Sequence, residues 1–182
     1  GEALGLRWKD IDWDNNILHA RQSVTVVGGA PHIGPLQGKK GTAKIRDVLV
    51  HEALIGALRE HRRRQLERRL QLGDAWHDHD LVFAAANGNP INPNNLTREY
   101  HRWIAQAGVP KIRIHDQRHT HASHMLQMGA DIKVVSERLG HAKTSITMDI
   151  YYHVTERQHR EVADRIGAAY IGSSSRASTG RP

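Results

Sequence analysis

His115-Asp-Gln-Arg118-His-Thr-His-Ala-Ser-His-Met-Leu-Gln-Met-Gly129-Ala-Asp-Ile-Lys-Val-Val-Ser-Glu-Arg-Leu-Gly140-His141 is the stretch that decides the fold of this 182-residue chain. It reads as two helices joined by a short connection. The first runs from His115 to Met128 and stops at Gly129. The second runs from Ile132 to Leu139 and stops at Gly140. Glycine ends helices because it enters the left-handed region without a side-chain clash. Thr144 to Tyr152 and Glu156 to Ile171 read as two more helices. The Gly/Ser/Arg-rich tail from Gly172 is expected to be disordered.

Upstream, Pro93 to Gly108 reads as a helix with Leu96, Tyr100, Trp103 and Ile104 facing inward. From His51 to Leu72 the leucines Leu54, Leu58, Leu66 and Leu70 recur at multiples of four, which predicts one buried helix stripe. The other face carries Arg62, Arg63, Arg64, Arg68 and Arg69. The front of the chain changes period. Ile17 to Val27 is rich in β-branched residues and reads as a strand. Gly28 to Thr42, rich in glycine and proline, reads as a long loop, and Lys44 to Val50 as a second strand paired with the first. Leu81-Val-Phe-Ala reads as a short strand, closed by the turn Asn87-Gly-Asn-Pro. Gly1 to Trp8 has the apolar spacing of a helix face at Ala3, Leu4 and Trp8. The fold class is therefore mainly α with a small antiparallel β-sheet (α+β), one domain over residues 1–171 with a tail at 172–182.

Composition narrows the partners. The chain has 26 Lys+Arg against 19 Asp+Glu, a net charge of +7, and favours polyanionic partners. There are no cysteines, so disulfides and thiolate metal sites are excluded. No apolar run has the length of a bilayer span, and the start shows neither a signal nor a transit pattern. A cytoplasmic protein without a membrane partner is expected.

The chemistry-bearing residues are Tyr151, Arg118, His115, His141 and the lysine pair Lys39 and Lys40. These types supply what a phosphodiester needs when no metal takes part. Tyrosine can attack phosphorus and remain as an ester. Arginine holds two non-bridging oxygens with a planar, always charged fork. Histidine and lysine can donate protons, and lysine can protonate a leaving oxygen.

The three boxes His115-Asp-Gln-Arg118-His-Thr, Leu139-Gly-His141 and Thr147-Met-Asp-Ile-Tyr151-Tyr-His-Val resemble, in order and spacing, the tyrosine recombinase or phage integrase family. The resemblance runs from residue 1 to about residue 165, and includes Gly1-Glu-Ala-Leu-Gly-Leu-Arg-Trp-Lys-Asp-Ile-Asp. It implies the tyrosine recombinase catalytic-domain fold and a DNA strand transferase that works through a 3′-phosphotyrosine, for integration or excision of a phage or mobile element. Tyr151 matches the nucleophile, Arg118 the second phosphate-clamping arginine, His115 the histidine three before it and His141 the third-box histidine. Counting back from Arg46 places the lysine at Lys40, with Lys39 as the alternate. No cofactor and no metal are implied. The implied partner is double-stranded DNA, with a homo-tetramer on DNA and a monomer without it.

The resemblance departs at the front. The family's first arginine would fall two residues before Gly1, and the family's N-terminal DNA-grasping domain would precede it. The chain alone is therefore expected to be weak or inactive, a loss on the order of a hundredfold or more for one missing charge contact. Other readings stand beside these. Tyr152 rivals Tyr151, and the fit to Tyr-x-His-Val prefers Tyr151. His115 and His119 have a spacing that can hold zinc, but the glutamate of a His-Glu-x-x-His arrangement is missing between them. The five arginines on the helix of residues 51–72 are either a solvated face or phosphate contacts. A chromosome-dimer-resolving recombinase, or a non-catalytic DNA-binding module derived from the family, are the alternative functions.

Overall fold

Strand pairing at the front is built from two hairpins rather than one. In the computed structural model, which describes residues 1–36, 46–140, 162–163 and 165–168, β1 (Ile11–Asp12) pairs with β2 (Ile17–Ala20), and β2 pairs with β5 (Arg46–Leu49), all antiparallel. A second, two-stranded sheet joins β3 (Gln22–Val27) to β4 (Ala30–Pro35). The expected strand Ile17 to Val27 is thus split at Arg21, and Ala30–Pro35 of the expected loop is strand. The cause is Gly28-Gly29. Both residues take positive φ, 57° and 83°, as a two-residue hairpin turn matched to strand twist requires. Pro31 and Pro35 fit because, among the described residues, β4 pairs on one side alone and can forgo ladder donors on the other. The expected pairing of the first and last strands holds for β2 and β5.

Helix α1 (Glu2–Gly5) is shorter than the sequence suggests and passes through a 3₁₀ turn at Trp8–Asp10 into β1. Gly5 is where α1 crosses β3. A Cβ there would lie 2.6 Å from the Gln22 carbonyl oxygen, so the crossing requires glycine. Leu6, Trp8, Ile11, Ile55, Leu58 and Val82 form the first core, with Trp13, Leu18 and Val50 packed at its edge. Leu81 to Ala84 is no strand. It makes isolated bridges, Leu81 to Arg7 and Ala84 to Pro90, yet Val82 is fully buried.

Helix α2 (Glu52–Leu72) starts at the His51 cap, whose ring accepts from the Ala53 N–H, and ends at Gly73. Its leucine stripe is not a core stripe. Leu58 is buried, but Leu54 and Leu66 are 46% and 47% exposed and Leu70 82%. Ile55 and Leu58 supply the apolar part of the inward line, which continues through His61 and Gln65. His61 bonds the Val82 carbonyl; Gln65 donates to the Leu81 and Val82 carbonyls and accepts from the Trp8 indole at 2.7 Å. At 1.5 Å per residue α2 is about 31 Å long, and its last turns outrun the apolar core.

Helix α3 (Pro93–Ala107) is capped by Asn92 and closed by left-handed Gly108. Ile104 is buried as expected, whereas Trp103 is 52% exposed. The chain divides into two compact units, and the second begins at His115. There α4 (Asp116–Gln127) and α5 (Ile132–Leu139) pack through Ala122, Leu126, Val135 and Leu139. Gly129 and Gly140 both take positive φ, as the sequence predicts for helix stops. Residues 162–163 and 165–168 are helical, within the helix expected from Glu156 to Ile171. The helix expected from Thr144 to Tyr152 and the tail from Gly172 lie outside the described residues.

Candidate active site

The first turn of α4 gathers the described part of the candidate chemistry. His115 is the residue at the helix N-cap, and its carbonyl accepts from the Arg118 N–H at 3.0 Å. Three-residue spacing at a helix start sets both side chains on neighbouring positions of one face. The His115 ring packs edge-on against His119, with centroids 5.4 Å apart. Arg118 is half-buried, and the loss of water around its guanidinium pulls its pKa below the ordinary arginine value. It stays charged, because arginine does not deprotonate in proteins. A partly dehydrated cation in the positive first turn of a helix favours an anion. Asp116, also in that turn, offsets part of the field.

The far end of α4 and the start of α5 are closed by local hydrogen bonds. Asp131 caps α5 by accepting from the Lys133 N–H at 2.7 Å. The Ala130 N–H reaches back to the Met125 carbonyl at 3.0 Å and closes the α4 end. Gly140, the residue before His141, leaves α5 in the left-handed conformation. His141, Tyr151, Lys39 and Lys40 lie outside the described residues. The two lysines fall between Leu36 after β4 and Arg46 at the start of β5.

Three ion pairs in the first unit were not anticipated from sequence. Glu2 on α1 pairs with Arg46, which ties the start of β5 to the chain's first helix. Asp10, 5% exposed, accepts from Arg7 at 2.5 and 3.1 Å and lies 3.4 Å from Arg21 Nε. An Arg-x-x-Asp spacing was the available signal for the first of these contacts. Nothing local marked Arg46 or Arg21 as partners, since strand pairing brings them there.

Of the arginines on α2, three are ion-paired within the molecule. Arg63 pairs with Glu60 and Glu67, Arg64 approaches Glu60 at 3.8 Å, and Arg69 bridges to Asp78 at 2.8 Å. The hydrogen bond to Glu60 leads the upward shift of the Arg63 pKa, and the same bond holds the Glu60 carboxyl below its ordinary value. Arg62 lies over the rings of Trp8 and Trp13. Arg68 is exposed.

A model of the phage integrase family matches residues 1–158, and the chain belongs to that family. It is 35% identical over 180 residues to a tyrosine recombinase XerC-like protein of Caldanaerobacter subterraneus subsp. tengcongensis, covering 94% of this chain and 46% of that protein. It is 29% identical to the ICEBs1 integrase of Bacillus subtilis, covering 91% of this chain and 44% of the relative. The chain thus spans about half the length of the curated relatives it matches. Its fold is similar to the crystal structure of XerA recombinase, with a TM-score of 0.63 at 26% identity over 91% of this chain and 52% of that one. It is also similar in fold to the Tn1549 transposon integrase in complex with transposon right end DNA, with a TM-score of 0.69 at 17% identity over 89% of this chain and 54% of that one. The mainly α fold with small antiparallel sheets is that of the tyrosine recombinase catalytic domain.

Proposed function

We propose that this chain is the strand-transfer part of a site-specific DNA recombinase acting on a phage or mobile element. Tyr151 gives its hydroxyl proton to a histidine of the site as its Oη attacks the scissile phosphorus, so that a 3′-phosphotyrosyl bond forms and the bond to the 5′-oxygen breaks. Lys40, or Lys39 as the alternate, gives that oxygen its proton. Arg118 holds two non-bridging oxygens with its fork, and His115 and His141 contact the same phosphate. The reverse attack by a 5′-hydroxyl rejoins the strand, and the tyrosyl ester conserves the bond energy, so no external energy source is required.

The observation that carries this reading is the half-buried, charged Arg118 in the positive first turn of α4, next to His115, inside a chain of this family. Integrases among the relatives favour mobile-element DNA as substrate, while relatives named XerC keep chromosome-dimer resolution as the second reading. Duplex DNA as the partner is supported by the DNA-bound relatives of the same fold. Assembly into a tetramer on DNA and a monomer without it is part of the same proposal.

The test is covalent trapping on a nicked suicide duplex bearing the recombination site, with the chain in its full-length protein. The parent protein should form a covalent adduct, and Tyr151→Phe should lose it while still binding the duplex. An adduct that persists in Tyr151→Phe transfers the nucleophile to Tyr152. No adduct from the parent protein supports the non-catalytic DNA-binding module instead.

A further inference from the structure

One flank of α2 is built like a binding surface and has no use in the chemistry above. Arg59, Arg62, Leu66 and Leu70 are three or four residues apart and share that flank. Trp13 stands beside it, stacked on Trp8 with centroids 6.2 Å apart and planes 12° apart. Arg62 lies 5.5 Å from the Trp8 ring and 5.8 Å from Trp13; Arg59 lies 5.8 Å from Trp13. Trp13, Arg59, Arg62, Arg63 and Leu66 line a shallow depression there. Leucine exposure of 47% and 82% at Leu66 and Leu70 continues the apolar floor toward the end of the helix.

The chemistry of the occupant follows from what the strip offers. A guanidinium laid on an indole is held in place with its N–H edges outward, ready for a carboxylate. Arg59 and Arg62 have no carboxylate partner among the described residues, whereas Arg63, Arg64 and Arg69 do. The leucines need apolar side chains to cover them, which a phosphate backbone does not provide. A continuous backbone would also pass Glu60, Glu67 and Asp78, while one acidic side chain needs Arg59 and Arg62 alone. A second copy of this chain carries the same net charge of +7 and is disfavoured by it. From Arg59 to Leu70 the strip runs about 16 Å, three turns of helix. Tryptophan and arginine beside apolar anchors are the residue types that dominate protein interfaces.

We propose that this flank of α2, with Trp13, docks an amphipathic helix of a different protein, whose leucine-type side chains cover Leu66 and Leu70 and whose carboxylates meet Arg59 and Arg62. The probe is a fluorescein-labelled synthetic helix with leucines on one face and glutamates beside them, read by anisotropy against the full chain. The parent chain should bind this helix and not its lysine-for-glutamate counterpart. Leu66→Gln/Leu70→Gln, two changes at exposed positions, should weaken binding about tenfold or more, and Arg59→Ala by a similar factor. Circular dichroism and duplex DNA binding should stay unchanged in these variants. Absence of binding, equal binding of the lysine helix, or indifference to the variants overturns the proposal. Displacement of the helix by a random-sequence duplex assigns the flank to DNA and overturns it. Self-association in sedimentation that Leu70→Gln abolishes assigns the flank to a second copy and overturns it too.

Discussion

Helix α2 exposes Leu54, Leu66 and Leu70 and directs His61 and Gln65 at its own core, whereas the shorter pair α4 and α5 buries Ala122, Leu126, Val135 and Leu139 against one another. A sequence reader would rank these the other way, because α2 has the longer and more regular leucine pattern. The difference shows that periodicity identifies a face but not what lies in front of it. Around α2 the neighbour is the irregular segment at Leu81 and Val82, whose carbonyls need donors. His61 and Gln65 satisfy them, so polar side chains occupy the inward line and the leucines lie to the side. Between α4 and α5 two regular helices face each other, and the apolar residues Ala122, Leu126, Val135 and Leu139 form the contact.

The sharpest way to separate the regions is by chemistry. On the proposed mechanism, Arg118→Ala should lower covalent strand cleavage by a hundredfold or more, with DNA binding reduced far less, since the proposal puts its charge on the reacting phosphate. Arg64→Ala on α2, measured in the same assay, should leave cleavage within about twofold, because a surface ion pair contributes little. Equal losses would erase the proposed division of labour.

Stability probes the packing side. Leu126→Ala in α4 should cost about 2–5 kcal/mol in chemical denaturation, while Leu70→Ala should stay within about 0.5 kcal/mol. A large effect at Leu70 would mean that α2's outer turns are covered in the isolated chain. Asp10→Ala should cost about 3 kcal/mol, the lower end for breaking a buried pair, because Arg21 remains half in water. Gly29→Ala, at φ 83° in open space, should cost about 1 kcal/mol through backbone strain alone. The smallest expected signal is a titration. Glu60 should titrate below the ordinary glutamate value by NMR, and Arg63→Gln should return it there. Because its folded value is depressed, Glu60 contributes stability above its unfolded pKa and loses it as pH falls through the folded one.

Of the candidate site, the sequence proposed the residue types and their spacing for a physical reason, and the described residues include His115 and Arg118. Nucleophile, clamp and proton donors must be particular residue types, and a helix turn sets the three-residue spacing of His115 and Arg118 wherever it occurs. The ion pairs of Arg46 with Glu2 and of Arg21 with Asp10 were not legible, because they join residues that only strand pairing brings near. The β3–β4 hairpin was legible in principle from Gly28-Gly29, but Pro31 and Pro35 within β4 suggest a loop until β4 is known to be an edge.

By itself the sequence determined the helix ends at Gly129 and Gly140, and it supplied the residue types from which the phosphate chemistry is proposed. These depend on backbone freedom and functional groups that each residue carries wherever it is placed. Tertiary structure alone decided which side of α2 faces the core, where the first strand breaks and which arginines are already paired. Those outcomes depend on the carbonyls and carboxylates that distant segments present, and no local pattern encodes them.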